Sequence, residues 1–380
     1  MKVSVVGGGN AGVFSALYLA YFTRNIETLD VELIYNPSIP PERVGQATVL
    51  QPPQLLWSAL GFNWYNNPIH ATFKSGILYE GWGKINDKIF HPFPAHHMAM
   101  HYCPWEMQRY VLDSGLFKVI EGDIDPKDVD ADYVIDCRGK PDDFSEYEEL
   151  INPTNACILG SPKWNTTEAL WSRHVATPDG WTFVIPTSNG SPSHDYCVGY
   201  CYNSNITKKE VAEYNFLEMF DVEVKHHVEY RNYVAKNPVI DGRIFLNGNR
   251  LYFLEPLESS ATQTYIEWIR YILDAIIPKK RTIKEGCDEV RGYINQGERF
   301  VLWHYQFGSK YDTPFWNYAK RLKVKNDPLF NQYLKTAQLY NWRDVVPDQC
   351  GGLGGDLLYA QWPSYSFHNW YEGMTKHINN

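Results

Sequence analysis

The sequence predicts an α/β protein built on a Rossmann-like dinucleotide-binding fold, with inserted β-sheet elements and a helical C-terminal region. Three observations predict it. "MKVSVVGGGNAGVFSALYLAYF" reads as a short buried strand, a glycine turn and an apolar helix. A second strand, "VELIY" from Val31 to Tyr35, follows at the distance a βαβ unit needs. From about Lys279 the pattern turns helical, polar and rich in Trp and Tyr.

In the first unit, Lys2 to Val6 forms the strand and about Ala11 to Phe22 the helix. Gly7, Gly9 and Gly12 satisfy GxGxxG. Gly7 permits the tight turn, Gly9 lets backbone approach a pyrophosphate, and Gly12 lets helix pack on strand. The helix N-terminus then offers unpaired N–H groups to the phosphates. An acidic residue should close the second strand to hold the ribose hydroxyls, but Tyr35 and Asn36 stand there. Asn36 is the candidate ribose partner, and Glu32 is expected to point elsewhere.

Farther along, "ATFKSGILYEGWG" (Ala71 to Gly83) reads as a strand or hairpin, and a helix begins near Trp105. "DADYVIDCRGK" is a returning strand of the dinucleotide fold, and "GWTFVIPTS" and "DYCVGYCYNS" are paired strands. "RIFLNGNRLYF" reads as one buried strand, followed by the apolar helix "SATQTYIEWIRYILDAII". This organisation gives a discontinuous dinucleotide domain over about 1–278, with substrate elements inserted in its loops at about 54–125 and 160–240. Residues 279–380 would cover the substrate site. Only one glycine fingerprint is present. "CGGLGGD" (Cys350 to Asp356) follows no strand and reads as a turn, so reducing equivalents are expected to come from a separate protein.

Bulk properties narrow the function classes. At 380 residues, with 44% hydrophobic and 21% charged residues, the chain suits one large or two interlocked globular units. A net charge of −9 without a basic run disfavours nucleic acid and anionic membranes. Aromatic residues reach 15%, enough to line pockets for flat ligands as well as cores. Seven cysteines without a CxxC imply reduced thiols in a cytoplasmic protein, with neither a disulfide framework nor a zinc site. No signal peptide and no membrane-length apolar segment is read.

Five stretches together resemble the flavin-dependent halogenases of the tryptophan-halogenase type: GGGNAG, "VGQAT" (Val44 to Thr48), "TFKSG" (Thr72 to Gly76), "GWTFVIP" (Gly180 to Pro186) and "FLEPLESS". "HYQFGSKYDTPFW" and "WPSYSFHNWYEGM" resemble that family's C-terminal region. The resemblance implies an FAD-binding fold of the flavin monooxygenase/halogenase kind, using FAD as FADH2, O2 and a halide (chloride, bromide or iodide). It implies a separate flavin reductase, and a hypohalous acid that leaves the flavin to halogenate a small aromatic substrate. Carried over by residue, Lys74 matches the family's lysine and Glu258 its glutamate. Gly7, Gly9, Ala11, Gly12, Asn36, Gly45, Ala47 and Ser259 are the expected cofactor contacts, and Ser260 and Ala261 the halide turn. The resemblance implies that Trp181, Phe183, Ile185 and Pro186 form a barrier between flavin and substrate, although as core aromatics Trp181 and Phe183 would be unremarkable. Phe183 stands where the family has a second tryptophan, and the chain is shorter than usual. A more open site with broader substrates is therefore expected, with bromide and iodide at least as favoured as chloride. A homo-oligomer is expected.

Read by themselves, these residues have plainer roles too. Lys74 on local sequence reads as a surface lysine at a strand edge; paired with the EPLES segment it reads as a desolvated amine. Glu258 would orient the oxidant and take the ring proton, while Glu255 would cap or tether the turn. His97 and His101 have i, i+4 spacing but lack a third ligand, so loop or flavin-edge histidines are expected rather than a metal site. Cys137 reads as a small buried hydrophobe, and Arg109 as either a phosphate contact or a helix-surface arginine. The rival functions are a hydroxylating flavin monooxygenase and a catalytically silent flavin-binding protein.

Overall fold

A computed structural model describes residues 1–26, 28–93, 99–188, 190–277, 281–322, 328, 331, 335, 357–359 and 362–377. The chain folds as two compact units. Met1–Ala71, Tyr102–Leu150 and Asn232–Ile294 make the first; Thr72–His101, Ile151–Arg231 and Asn295–Asn380 make the second.

The first unit is organised by a six-stranded sheet with the order Val239–Ile240, Ile244–Leu246, Tyr133–Asp136, Lys2–Val6, Asp30–Tyr35, Lys118–Glu121. All neighbours are parallel except the first pair. Lys2–Val6 pairs on both edges with parallel strands and is buried on both faces from Val3 to Val6, so even Ser4 lies inside, where its hydroxyl is taken up by Glu32. Val6, Ile34, Val129, Val134 and Ile244 form one buried cluster of this unit. The helix Asn10–Thr23 is buried on nearly every side, as expected of a helix apolar all round.

The turn between that strand and helix is fixed by backbone. Gly7 donates to Ile34 O at 2.8 Å, and Cys137 donates to Val6 O at 2.7 Å. Gly7 has φ +116°, and a Cβ on Gly12 would lie 1.8 Å from Gly7 O. The reading of Glu32 is met: it is buried, accepts from Ser4 Oγ at 2.7 Å and pairs with Lys2 Nζ at 2.9 Å.

The second unit is built on a seven-stranded sheet: Val222–Glu229, Ala156–Pro162, Val198–Tyr202, Gly180–Val184, Ser172–Thr177, Gly76–Glu80, Lys88–Pro92. GWTFV and VGYCY pair antiparallel, as their sequences suggest. Only Ser172–Thr177 against Gly76–Glu80 is parallel. At the Pro178-Asp179 turn the buried Asp179 carboxylate accepts from Tyr200 Oη, Thr207 Oγ1 and Asn215 Nδ2 at 2.6–3.0 Å, so this charge is fully supplied with donors. Aromatic mass closes the other side: Tyr79 meets His304 and Trp370, and Trp82 meets Trp316.

Two segments differ from their sequence reading. "RIFLNGNRLYF" is two short strands in different sheets, because Gly248 at φ +61° opens a 3₁₀ turn, Gly248–Arg250, between them. Likewise Thr72–Lys74 and Gly76–Glu80 are separate strands. They are parted at Ser75, whose N–H and hydroxyl both bond Leu170 O at 2.7 Å.

Gly12→Ala should cost at least about 2 kcal/mol, because the new methyl meets main chain rather than a movable side chain. Urea unfolding checks this; an unchanged midpoint would contradict the tight turn.

Candidate functional site

The glycine turn presents a vacant approach at Gly9, where a Cβ would meet nothing within 4 Å. The helix has no side-chain N-cap, and its first backbone bond is Val13 N–H to Gly9 O. Its leading amides therefore lack helical acceptors. Asn10, 7% exposed, has an Oδ1 with no partner among the described residues. Gly7 and Gly12 supply closeness, Gly9 supplies room, and the helix end supplies positive potential, so these residues fit a dinucleotide pyrophosphate. Ala11 is packed against Gly248, where a Cβ would come 2.4 Å from its methyl. Gly45 is buried, and Ala47 lies in the short strand Gln46–Ala47.

Asn36 is engaged by the protein: its Oδ1 accepts from Ser38 N–H and Oγ–H, and its Nδ2 donates to Asp123 at 3.3 Å. That Asx turn follows from the sequence N-P-S. Glu42, not singled out by the sequence, accepts from Asn10 Nδ2 and Asn249 Nδ2, both at 3.3 Å.

EPLESS forms a 3₁₀ turn, Pro256–Glu258, followed by the helix Ala261–Ile276. Glu258 is 1% exposed and Glu255 3%. Glu255 stands ahead of the turn but does not cap it through its side chain. Ser259 adopts the left-handed conformation at φ 54°, uncommon for a non-glycine residue. It redirects the chain so that Ser260 leads the next helix without a side-chain cap, leaving the amides at Ala261 directed along the helix axis.

Lys74 ends the strand Thr72–Lys74 and is 0% exposed, so the surface-lysine reading does not hold. Its Nζ lies 5.4 Å from the Phe93 ring centroid, a position that favours a cation. Thr72 pairs with His101 and Lys74 with Ala99 on the antiparallel partner strand. Strand alternation places Thr72, Lys74 and His101 on one face. Thr72 Oγ1 donates to Pro186 O at 2.7 Å, tying the lysine strand to the end of WTFVIP.

Trp181 and Phe183 share one face of Gly180–Val184 and are both buried, with centroids 6.1 Å apart. His174 packs on Trp181 at 4.8 Å. Phe183 fits because Gly199 lies opposite it: a Cβ there would be 2.1 Å from Phe183 Cζ. Ile185 and Pro186 continue the buried run. Gly199, Ser172, His174 and Phe93 carry no local sequence signal; Thr72, two residues before Lys74 in TFKSG, does.

His101 is buried, with Nδ1 3.0 Å from Thr72 Oγ1 and Nε2 3.0 Å from Ser172 Oγ. Burial first, then the neighbouring Lys74 and His174 charges, hold its pKa well below the usual imidazole range. His96, His97 and "CGGLGGD" lie outside the described residues. No cluster of three or more metal-ligating side chains occurs among the described residues. Cys137 is buried, and burial with the Asp136 charge raises its thiol pKa, consistent with an inert hydrophobe. Arg109 is an exposed helix arginine 3.8 Å from Asp113.

The tryptophan halogenase family model matches residues 2–115 and 119–343. The chain belongs to this family. It is a flavin-dependent halogenase, an oxidoreductase that needs reduced flavin. It is 20% identical to the tryptophan 7-halogenase RebH of Lentzea aerocolonigenes, over 85% of this chain and 79% of that protein. Two solved halogenases share the fold. SttH, a tryptophan 6-halogenase of Streptomyces toxytricini, has a TM-score of 0.76 at 18% identity, covering 100% of this chain and 91% of that one. BrvH, a flavin-dependent halogenase from Brevundimonas sp. BAL3, has a TM-score of 0.73 at 18% identity, with the same coverages. No described helix of this halogenase is long and apolar enough to cross a membrane.

The depressed His101 pKa sets an acid dependence of stability. Unfolding frees the imidazole to take a proton at about 6.5, so its contribution is fully present above that pH. It is lost as pH falls below it, at up to about 1.4 kcal/mol per pH unit. Urea unfolding between pH 7 and pH 5 should show a shallower loss for His101→Gln than for the wild type. Parallel curves would contradict the assignment.

Proposed function

We propose that this halogenase uses Lys74 and Glu258 to place halogen from a hypohalous acid on an electron-rich aromatic ring. The observation that carries this reading is the complete burial of Lys74, an ionisable amine held beside Phe93 in a strand tied to the WTFVIP end. The cofactor proposed for the glycine turn is FAD, held through Gly7, Gly9, Ala11 and Gly12, with Gly45, Ala47 and Ser259 as further contacts; no ribose contact is proposed from Asn36, because Ser38 and Asp123 already engage its side chain. Bound reduced flavin and halide would each give two electrons to O2, yielding hypohalous acid and water.

The chain's own residues would do the rest. The Lys74 ammonium donates a hydrogen bond to the oxygen of the hypohalous acid and polarises its bond to halogen. Ring electrons attack the halogen, and the departing hydroxide takes the ammonium proton as water. The Glu258 carboxylate steadies the cationic ring and accepts the proton lost as aromaticity returns. Ser260 and Ala261 at the helix start are the proposed halide position. Trp181, Phe183, Ile185 and Pro186 are the proposed wall that keeps the substrate from the flavin, so halogen rather than oxygen is inserted. Phe183 in that wall supports a roomy site for phenols and indoles, with bromide and iodide taken at least as readily as chloride. A separate reductase would deliver the reduced flavin.

The test supplies FAD, a flavin reductase, NADH and O2, and offers each halide with a panel of phenols and indoles. Mass spectrometry should find halogenated product. Lys74→Ala should lose it by more than about 100-fold while flavin reoxidation stays near wild type, and Glu258→Gln should lose about 10²–10⁴-fold. Oxygen insertion without halogen, or full activity in Lys74→Ala, would overturn the reading.

A further inference from the structure

Beside Lys74 lies a hydrogen-bonded group to which the proposed chemistry gives no role. Thr72 Oγ1 has a single proton, and the Pro186 carbonyl, 2.7 Å away, can only accept it. Toward His101 Nδ1 at 3.0 Å the same oxygen must therefore accept, which puts a proton on Nδ1. A neutral imidazole so protonated leaves Nε2 as an acceptor, and Ser172 Oγ, also at 3.0 Å, is its donor. Each member is thus assigned a direction, starting from a main-chain carbonyl that cannot reverse it.

The placement relative to Lys74 follows from strand register. Thr72 stands directly opposite His101, and Lys74 is two residues on along the same face. The Lys74 and His101 positions are diagonal neighbours, about 7–8 Å apart. The charged groups facing the imidazole among the described residues are Lys74 from the neighbouring strand and His174 from the strand that carries Ser172. Both are potential cations and neither would welcome another.

We infer that Thr72, His101 and Ser172 form a positioning relay for Lys74: it fastens the lysine strand to the Pro186 carbonyl and keeps an uncharged imidazole on the face from which Lys74 projects. The relay rests on the reading of Lys74 as the reacting amine. It does two things for that amine. It fixes the strand against the end of the barrier segment, where a displacement of about 1 Å can cost about 10²-fold in rate. It also leaves Lys74 without a cationic neighbour at His101, so the ammonium can hold and release its proton without that repulsion. The depressed pKa of His101, caused by burial and by the Lys74 and His174 charges, agrees with this neutral state.

The relay is tested first on the wild-type protein without substrate, by ¹⁵N-histidine NMR. His101 should appear as the Nδ1–H tautomer and stay neutral down to at least pH 5.5, and Lys74→Met should raise its protonation midpoint. A His101 found as the Nε2–H tautomer, or charged at pH 6, would overturn the inference whatever the variants do. The second arm compares Thr72→Val, which keeps shape but neither donates nor accepts, with Thr72→Ser, which does both. Thr72→Val should lower kcat for halogenated product at least 10-fold, with KM for the aromatic substrate within about twofold and flavin reoxidation unchanged. Thr72→Ser should recover most of that loss. Thr72→Val equal to wild type, alongside an inactive Lys74→Ala, would overturn the relay and leave the Lys74 reading standing. An active Lys74→Ala would instead remove the reading on which the relay's purpose depends, while the NMR result is judged by itself.

Discussion

A lysine amine with no exposed surface constrains everything around it. Taking such a charge out of water costs several kcal/mol unless neighbours answer it. Around Lys74 the structure places the Phe93 ring face, and burial together with the Lys74 and His174 charges holds the pKa of the neighbouring His101 well below the usual imidazole range. Neither strand alone could do this. The lysine strand has three residues and depends on pairing with Ala99–Tyr102 and on the Thr72–Pro186 bond for its position. Such a strand has little stability of its own.

The same economy of backbone appears at the other candidate positions. Gly7, Gly9 and Gly12 bring a helix end to the C-terminal end of a central strand of the parallel sheet, where an anion is welcome. At Ser259 a left-handed residue performs the equivalent turn into the helix Ala261–Ile276. Both places expose backbone amides rather than side chains, which suits ligands that are anions. In the second unit Gly199 has no side chain, which leaves room for the Phe183 ring beside Trp181.

Much of this was legible in the sequence wherever the cause was local. The strand–glycine turn–helix unit, the WTFV and VGYCY pair and the apolar helix after EPLESS follow from short-range pattern, and family motifs pointed to Lys74 and Glu258. Burial of Lys74 was not legible from its own neighbourhood, since a three-residue strand beside Ser75-Gly76 reads as an edge; its partners are Phe93, Ala99 and His101, set by register. Ser172 reaches His101 from 71 positions away, with no spacing to announce it. "RIFLNGNRLYF" misled because apolar residues continue across Gly248, whose positive φ breaks the strand. Asn36 was readable otherwise: N-P-S favours the Asx turn that now occupies its side chain.

Whether the Lys74 amine is shut away from bulk water is measured directly by native-state lysine labelling. The folded protein would be treated with a water-soluble amine reagent and the modified peptides quantified over time by mass spectrometry. Lys74 should remain unmodified long after exposed lysines such as Lys163 are fully labelled. Labelling of Lys74 at the rate of those surface lysines, with the protein still folded, would contradict the account.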